Sequence, residues 1–359
     1  MVTGRRSRIA ASPGCLLAQD SYVVPRTASH VARAARDENT RFAQTIASAR
    51  AAAEAGAPAA NAPGTTASTS PPATSSRPRW RSATTHSMVA DALDGGKVAT
   101  IDARMDVLIT GAGGLIGGIL RRGLPGADRA VRGLDHRLVD DPGVLQADVM
   151  HPGTLAGMFT GVEAVVDLAS RAGPELAWDE ALLDCQGRIN VLEAARAQGV
   201  RRYIFASSNR VTGRYESEHP YAEIVSGSYS GLDPAATPLI SVTSPARPDG
   251  PYAVGKCFGE AAGRYYSEQY ELSCICLRIG SVNVPDRPTE PREFATLLTH
   301  RDLVHLVDCA LRAPRTLRYG VYYGVSANTW RFWDIENAAQ DIGFLPRDDA
   351  ERFRASLPS

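Results

Sequence analysis

Cysteine is sparse and without pattern in this 359-residue chain. The six are Cys15, Cys185, Cys257, Cys274, Cys276 and Cys309. No CxxC pair occurs. That excludes a disulfide framework and favours reduced thiols in a cytoplasmic enzyme. Cys274 and Cys276 are expected to be alternate residues of one strand, facing the same way, and not metal ligands. The seven histidines form no HExxH motif, so no metal is expected. No apolar run reaches the length of a membrane span. Net charge is zero overall, but residues 105–359 carry 26 Lys and Arg against 32 Asp and Glu. A mildly acidic fold argues against nucleic acid as a partner.

Residues 1–104 are different. They carry 13 Lys and Arg against 7 Asp and Glu, and Ala, Ser, Thr, Pro and Arg dominate. The low-complexity stretch 56–85 cannot bury enough apolar surface to offset its ordering entropy. A disordered tail is therefore expected, with a marginal Ala-rich helix over 29–56. Arg5-Arg6 is not followed by the apolar segment of a secretory signal. Asp20, Asp37, Glu38 and Glu54 interrupt the basic character of a transit peptide. A translation start at Met88 or Met105 is the expectation for this region.

From Met105 strands and helices alternate. Apolar runs end in loops at 105–110, 129–134, 143–147, 163–168, 202–207 and 273–279. Helical patterns lie at about 115–123, 176–199 and 251–270, then less regularly at 300–313 and 333–342. The alternation predicts an α/β fold: a Rossmann-type, doubly wound parallel sheet with helices on both faces.

The first strand runs into glycines: Met105 to Gly117 reads MDVLITGAGGLIG. Gly111, Gly114 and Gly117 fall at three-residue spacing, and Leu115 and Ile116 open a helix. Strand, glycines and helix in that order make an anion site, where backbone approaches a pyrophosphate and free helix N–H groups face it. Asp135, at the end of the second strand, is placed to accept hydrogen bonds from ribose hydroxyls and to repel a 2′-phosphate, which favours NAD. Arg132, His136 and Arg137 flank it. Asp148, followed by Val149, is placed to hold the adenine. Leu168, Ala169 and Ser170 are expected along the cofactor.

Ser207-Ser208-Asn209 ends a later strand, and Tyr252 and Lys256 follow at i, i+4 on one helix face. A lysine cation beside a phenol lowers its pKa, which suits the tyrosine to act as a general base. A nearby serine can orient the substrate oxygen.

With these motifs the chain resembles the extended short-chain dehydrogenase/reductase superfamily, which holds nucleotide-sugar epimerases and dehydratases. The resemblance covers about 105–355 through TGAGGLIG, DLAS, SSN and YAVGK. It implies that Ser208, Tyr252 and Lys256 are catalytic. Tyr252 and Lys256 would also touch the NAD. Within the superfamily, FASSN (205–209), PARPDGPYAVGKCFGE (245–260), RIGS (278–281), GVSAN (324–328) and the closing GFLPRDDAERFR are similar to uronate dehydrogenases. That likeness implies NAD-linked oxidation of C1 of a hexuronate to a lactone, in a substrate-binding C-terminal part from about 281. Ser208, Asn209, Arg210, Ser281 and Arg292 would face the sugar or sugar acid, with Arg292 gripping its carboxylate. A nucleotide-sugar epimerase or dehydratase, and an inactive NAD-binding regulator, are the alternatives. A homo-oligomer is left open. Three departures bear on the substrate. Arg210 stands where a histidine is expected, Ala172 where a serine is expected, and the loop between Gly213 and Pro245 is longer than expected.

Overall fold

Seven strands form one sheet: β1 (Met105–Thr110), β2 (Arg129–Asp135), β3 (Val144–Gln146), β4 (Ala164–Asp167), β5 (Arg202–Ser208), β6 (Ser273–Ile279) and β7 (Tyr319–Gly324). The computed structural model describes residues 104–356 apart from Ala172 and Pro174. Residues 1–103 of the tail and the expected departure at Ala172 lie outside the described residues. All neighbouring strands are parallel, in the order β3-β2-β1-β4-β5-β6-β7. The order reverses between β1 and β4. The gap at their carboxyl ends is the switch point where such sheets bind ligands.

Helices α1 (Leu115–Gly123), α2 (Trp178–Ala197), α3 (Tyr221–Ser226), α4 (Pro251–Gln269), α5 (Glu293–Thr296), α6 (His300–Arg312) and α7 (Glu336–Ile342) complete the fold. Side chains alternate along the strands, so each face feeds its own core. Val107 and Ile109 pack with Ile119 and Leu120 of α1 and Leu303 and Leu306 of α6. Leu108 and Val165 pack with Val191 and Leu192 of α2, beside Cys274 and Cys276 of β6. Covered on both faces, β4 and β6 are buried throughout, which is why apolar residues dominate them, and their charged members Asp167 and Arg278 are ion-paired.

The sequence reasons for α6 are local. The Thr299 hydroxyl caps its start by accepting from the Asp302 N–H at 3.3 Å, worth about 1 kcal/mol. Apolar residues recur at Leu303, Leu306, Val307 and Ala310, one helical stripe. Pro314 follows the last turn. The buried Arg202 guanidinium of β5 donates to the carbonyls of Ala310, Leu311 and Ala313 at 3.1, 2.9 and 2.6 Å, a cation at the negative end of the helix.

Two regions depart from the simple alternation. Strand β7 is absent from the apolar runs because Gly320 and Gly324 interrupt it. Both are packing glycines: a Cβ at Gly320 would meet the Tyr322 ring and one at Gly324 would meet Leu306. The long loop after Gly213 is a folded lobe. Its Tyr221, Ile224 and Ile240 form an aromatic-rich cluster with Tyr323, Phe332 and Trp333. Ile240 exchanges backbone hydrogen bonds with Phe332 and Asp334 at 2.8 and 3.0 Å. The region expected from about 281 onward therefore shares its packing with residues before 281, and its β7 belongs to the main sheet.

Candidate active site

Thr110 ties the carboxyl ends of β1 and β4 together. Its hydroxyl donates to Asp167 at 2.5 Å and accepts from the Leu168 and Ala169 N–H groups at 3.2 and 3.1 Å. The chain then turns at Gly111, with φ +65, and a Cβ there would lie 3.0 Å from the Ala169 nitrogen. Gly117 must also be glycine, because a Cβ would sit 2.5 Å from the Gly111 carbonyl oxygen. This close approach seats the N-terminus of α1 over the switch point.

Two adjoining compartments of about 330 and 310 Å³ lie along this edge and share Gly111, Gly114, Leu168 and Ser170. Asp135, Asp148 and Val149 line the first, together with Ala169. Leu115, Ile116, Gly117, Ser208, Tyr252 and Lys256 line the second. Asp135 is buried and accepts from the Gly113 and Arg137 N–H groups at 2.9 Å each, and from Arg137 Nε at 3.1 Å. Burial raises its pKa, yet the hydrogen bonds, foremost from the Arg137 side chain, prevail and hold it below the usual carboxylate range. Asp148 accepts from the Met150 N–H at 2.9 Å and turns the chain at the compartment wall. Ser170 donates to Asp184 at 2.7 Å.

In the second compartment Lys256 is buried and donates to the Ala206 carbonyl at 2.8 Å. Its ammonium lies 5.2 Å from the centre of the Tyr252 ring. Burial, and after it the Arg188 cation, push Lys256 down to about 7. Tyr252 is raised by burial. The Ser208 hydroxyl that bonds it and the Arg188 and Arg210 cations oppose the rise. The sequence expectation that Lys256 lowers the phenol is not met: burial raises it, and the cations that oppose the rise are Arg188 and Arg210.

Of the substrate-side candidates Ser208 lines this compartment, and Asn209, Arg210, Ser281 and Arg292 do not. Ser208 accepts from the Arg210 N–H at 3.2 Å. Asn209 is 3% exposed, and its Nδ2 donor has no partner. Arg210 is paired with Asp249 at 2.6 Å. Ser281, between the cavity residues Gly280 and Val282, accepts from Arg292 Nη1 at 3.2 Å. Arg292 is not open to solvent on its fork: Nε and Nη2 donate to the two oxygens of Glu216 at 2.6 and 2.7 Å.

A family model described as the NAD dependent epimerase/dehydratase family matches residues 107–303. The chain belongs to that family. Uronate dehydrogenase of Pseudomonas putida is 32% identical over 257 residues, 70% of this chain and 87% of that protein. NAD-dependent glucose-6-phosphate dehydrogenase of Haloferax volcanii is 32% identical over 259 residues, 69% of this chain and 95% of the other. The crystal structure of uronate dehydrogenase from Agrobacterium tumefaciens matches with a TM-score of 0.60 at 30% identity, over 72% of this chain and 91% of that one. Relatives in this group act on a uronate, on glucose 6-phosphate and, in another case, on L-arabinose. The chain is an NAD-dependent dehydrogenase of this sugar-oxidising group.

NAD fits the groove of this family member. Two compartments meet at a glycine turn that a Cβ would fill, with α1 starting there and a buried carboxylate at the outer end. Among the described residues no group of His, Cys, Asp and Glu has the arrangement of a metal site. No helix among them is long and apolar enough to cross a membrane.

Sequence reasoning missed the residues that hold α4 in place. Glu260 accepts from Ser207 of β5 at 2.5 Å and takes a two-pronged pair from Arg278 of β6, 2.9 Å at each prong. Arg278 also donates to the Tyr323 hydroxyl at 3.0 Å. The signal was present: Glu260 is four residues beyond Lys256, on the same helix face. Asp167 and Arg188, a buried pair at 2.8 Å, were missed as well. They sit 21 residues apart on different elements, with no local pattern to join them.

Proposed function

We propose that this protein oxidises C1 of a cyclic sugar, converting the hemiacetal to a lactone with reduction of NAD. The observation that carries the reading is the meeting of Ser208, Tyr252 and Lys256 on one wall of the second compartment. Bound in the groove, NAD supplies the hydride acceptor. The Gly111–Gly117 turn and Asp135 would hold its pyrophosphate and adenosine ribose. Tyr252 takes the proton of the C1 hydroxyl as the C1–H bond breaks and the C1 carbonyl forms. Ser208 hydrogen-bonds the same oxygen and keeps it facing the phenol. Lys256, fixed by the Ala206 carbonyl, stands beside the tyrosine. Because burial raises the phenol, proton acceptance improves as pH rises.

The finer reading concerns C6: the names of the 32%-identical relatives point to a hexuronate, whereas Arg292, the cation that would hold its carboxylate, is already paired with Glu216. The residues facing the sugar would come from two segments, 209–250 and the part after 281. The test is NADH formation with a panel of uronates and aldoses. Net NADH supports the proposal. Interconversion of sugars without net NADH would select an epimerase, and NAD binding without turnover would select a regulator.

A further inference from the structure

We propose that Glu216 sets the substrate class: by occupying the Arg292 guanidinium, it makes the site select neutral aldoses over uronates. The proposal rests on the sugar-dehydrogenase reading above.

The geometry is a complete fork-to-fork pair. Two Arg292 nitrogens meet two Glu216 oxygens at 2.6 and 2.7 Å, the bidentate arrangement a substrate carboxylate would use. The pair is sheltered, with the two side chains 18% and 14% exposed. It is also built in. Glu216 belongs to the 3-10 stretch Asn209–Ser217 that opens the long lobe. That lobe docks on the Arg292 segment, where the Gly227 turn, φ +81, brings a would-be Cβ to 3.1 Å from Pro291. The other arginine of the substrate side also has an acidic partner, through a single contact from Arg210 Nη1 to Asp249 at 2.6 Å. Glu290 and Asp249 add further negative potential at Arg292. No lysine replaces these cations, since Lys256 is the sole lysine among the described residues.

A uronate carboxylate would have to displace Glu216 and leave that carboxylate sheltered and unpaired beside it. Two like charges at one guanidinium in a partly dry site repel each other strongly. A neutral sugar needs no displacement. Of the five Arg292 N–H groups, three are directed at Glu216 and Ser281, and the rest remain free to donate to a hydroxyl. The unpartnered Asn209 amide is an uncharged donor suited to the same task.

The experiment uses matched sugars that differ only at C6: glucose against glucuronate, and galactose against galacturonate. kcat/KM with NAD is measured for the full chain and for Glu216→Gln, which keeps the size and one acceptor but removes the charge. Glu216→Asp, which keeps the charge, is the control. Binding of each sugar to the enzyme–NADH complex is measured by calorimetry alongside. The native chain and Glu216→Asp should prefer the neutral member of each pair. Glu216→Gln should raise uronate kcat/KM and affinity by about tenfold or more, with no gain for the neutral sugars. Adding Arg292→Gln to Glu216→Gln should erase that gain. A native chain that prefers uronates overturns the proposal, as does a Glu216→Gln chain with an unchanged ratio. If Glu216→Gln does not fold, the native and Glu216→Asp preferences decide. Sugar binding that discriminates as expected but yields no NADH would sink the dehydrogenase reading and leave the specificity assignment standing. Neither binding nor NADH would overturn both.

Discussion

The NAD half of the groove is built on a glycine turn and a local carboxylate clamp, cross-tied by Thr110 to Asp167 57 residues away, and the proposed substrate half on ion pairs drawn from far apart. Gly111 to Gly117 form one turn, and Asp135 is clamped by Arg137 two residues on. On the substrate side, Arg210 meets Asp249 across 39 residues and Arg292 meets Glu216 across 76. Local contacts fix a backbone shape that one cofactor fits. Long-range ion pairs can be rearranged by a single charge change, without altering the strands beneath. Cofactor choice should therefore resist substitution on the substrate side, and substrate choice should not.

The strongest way to separate the halves is Tyr252→Phe. It removes the proposed base but not the ring that packs near Lys256. Turnover should fall by about a thousandfold, ~4 kcal/mol in barrier. NAD affinity, read by fluorescence titration, should change little. Loss of NAD binding in step with turnover would show that the halves are not independent.

The converse break is Gly117→Ala. Its Cβ would stand 2.5 Å from the Gly111 carbonyl and 2.7 Å from the Ala112 Cα, both backbone and unable to swing aside. The turn must shift. We expect a loss of about 1–3 kcal/mol in thermal or urea unfolding, with weaker NAD binding. Unchanged stability and NAD affinity would mean that the close approach does not matter.

What was legible in the sequence follows the same division. The strand–glycine–helix signal and the i, i+4 spacing of Tyr252 and Lys256 are local, and the structure brings those residues to one edge of the sheet. Strand β7 was not legible, because its glycines serve packing against Tyr322 and Leu306 and leave no alternation to read. Nor was the fold of the lobe after Gly213, whose Tyr221 and Ile240 find their partners in Phe332 and Trp333 about a hundred residues later. Arg292 is singled out through the resemblance, as the expected partner of a substrate carboxylate. That its fork is filled by Glu216 is a tertiary fact with no sequence pattern.

A smaller effect should sharpen the cofactor side. Asp135 spends its carboxylate on Gly113 and Arg137. Asp135→Ala removes the ribose acceptor and frees the half-exposed Arg137 guanidinium to meet a 2′-phosphate. The preference for NAD over NADP in kcat/KM should narrow by about tenfold. The choice among sugars should stay as it was. A preference that does not move would place cofactor discrimination elsewhere in the first compartment.

The smallest expected change lies where the two halves touch. Arg210 is proposed to belong to the substrate side, yet its cation is one of those that hold the Tyr252 phenol down against burial. Oxidation needs the deprotonated phenol, so the rate should climb with pH until the tyrosine has titrated. Arg210→Ala removes a cation and leaves Asp249, its partner at 2.6 Å, without it. Both changes disfavour the phenolate. The rising limb of kcat/KM against pH should move upward, while the rate at the alkaline plateau changes less than the rate near neutrality. NAD affinity measured at fixed pH is the control, because Arg210 lines neither cofactor compartment. A limb that stays in place, with KM raised equally at every pH, would make Arg210 a sugar-binding group with no hold on the base. A limb that moves to lower pH would contradict the electrostatic argument outright, since no loss of positive charge can favour an anion.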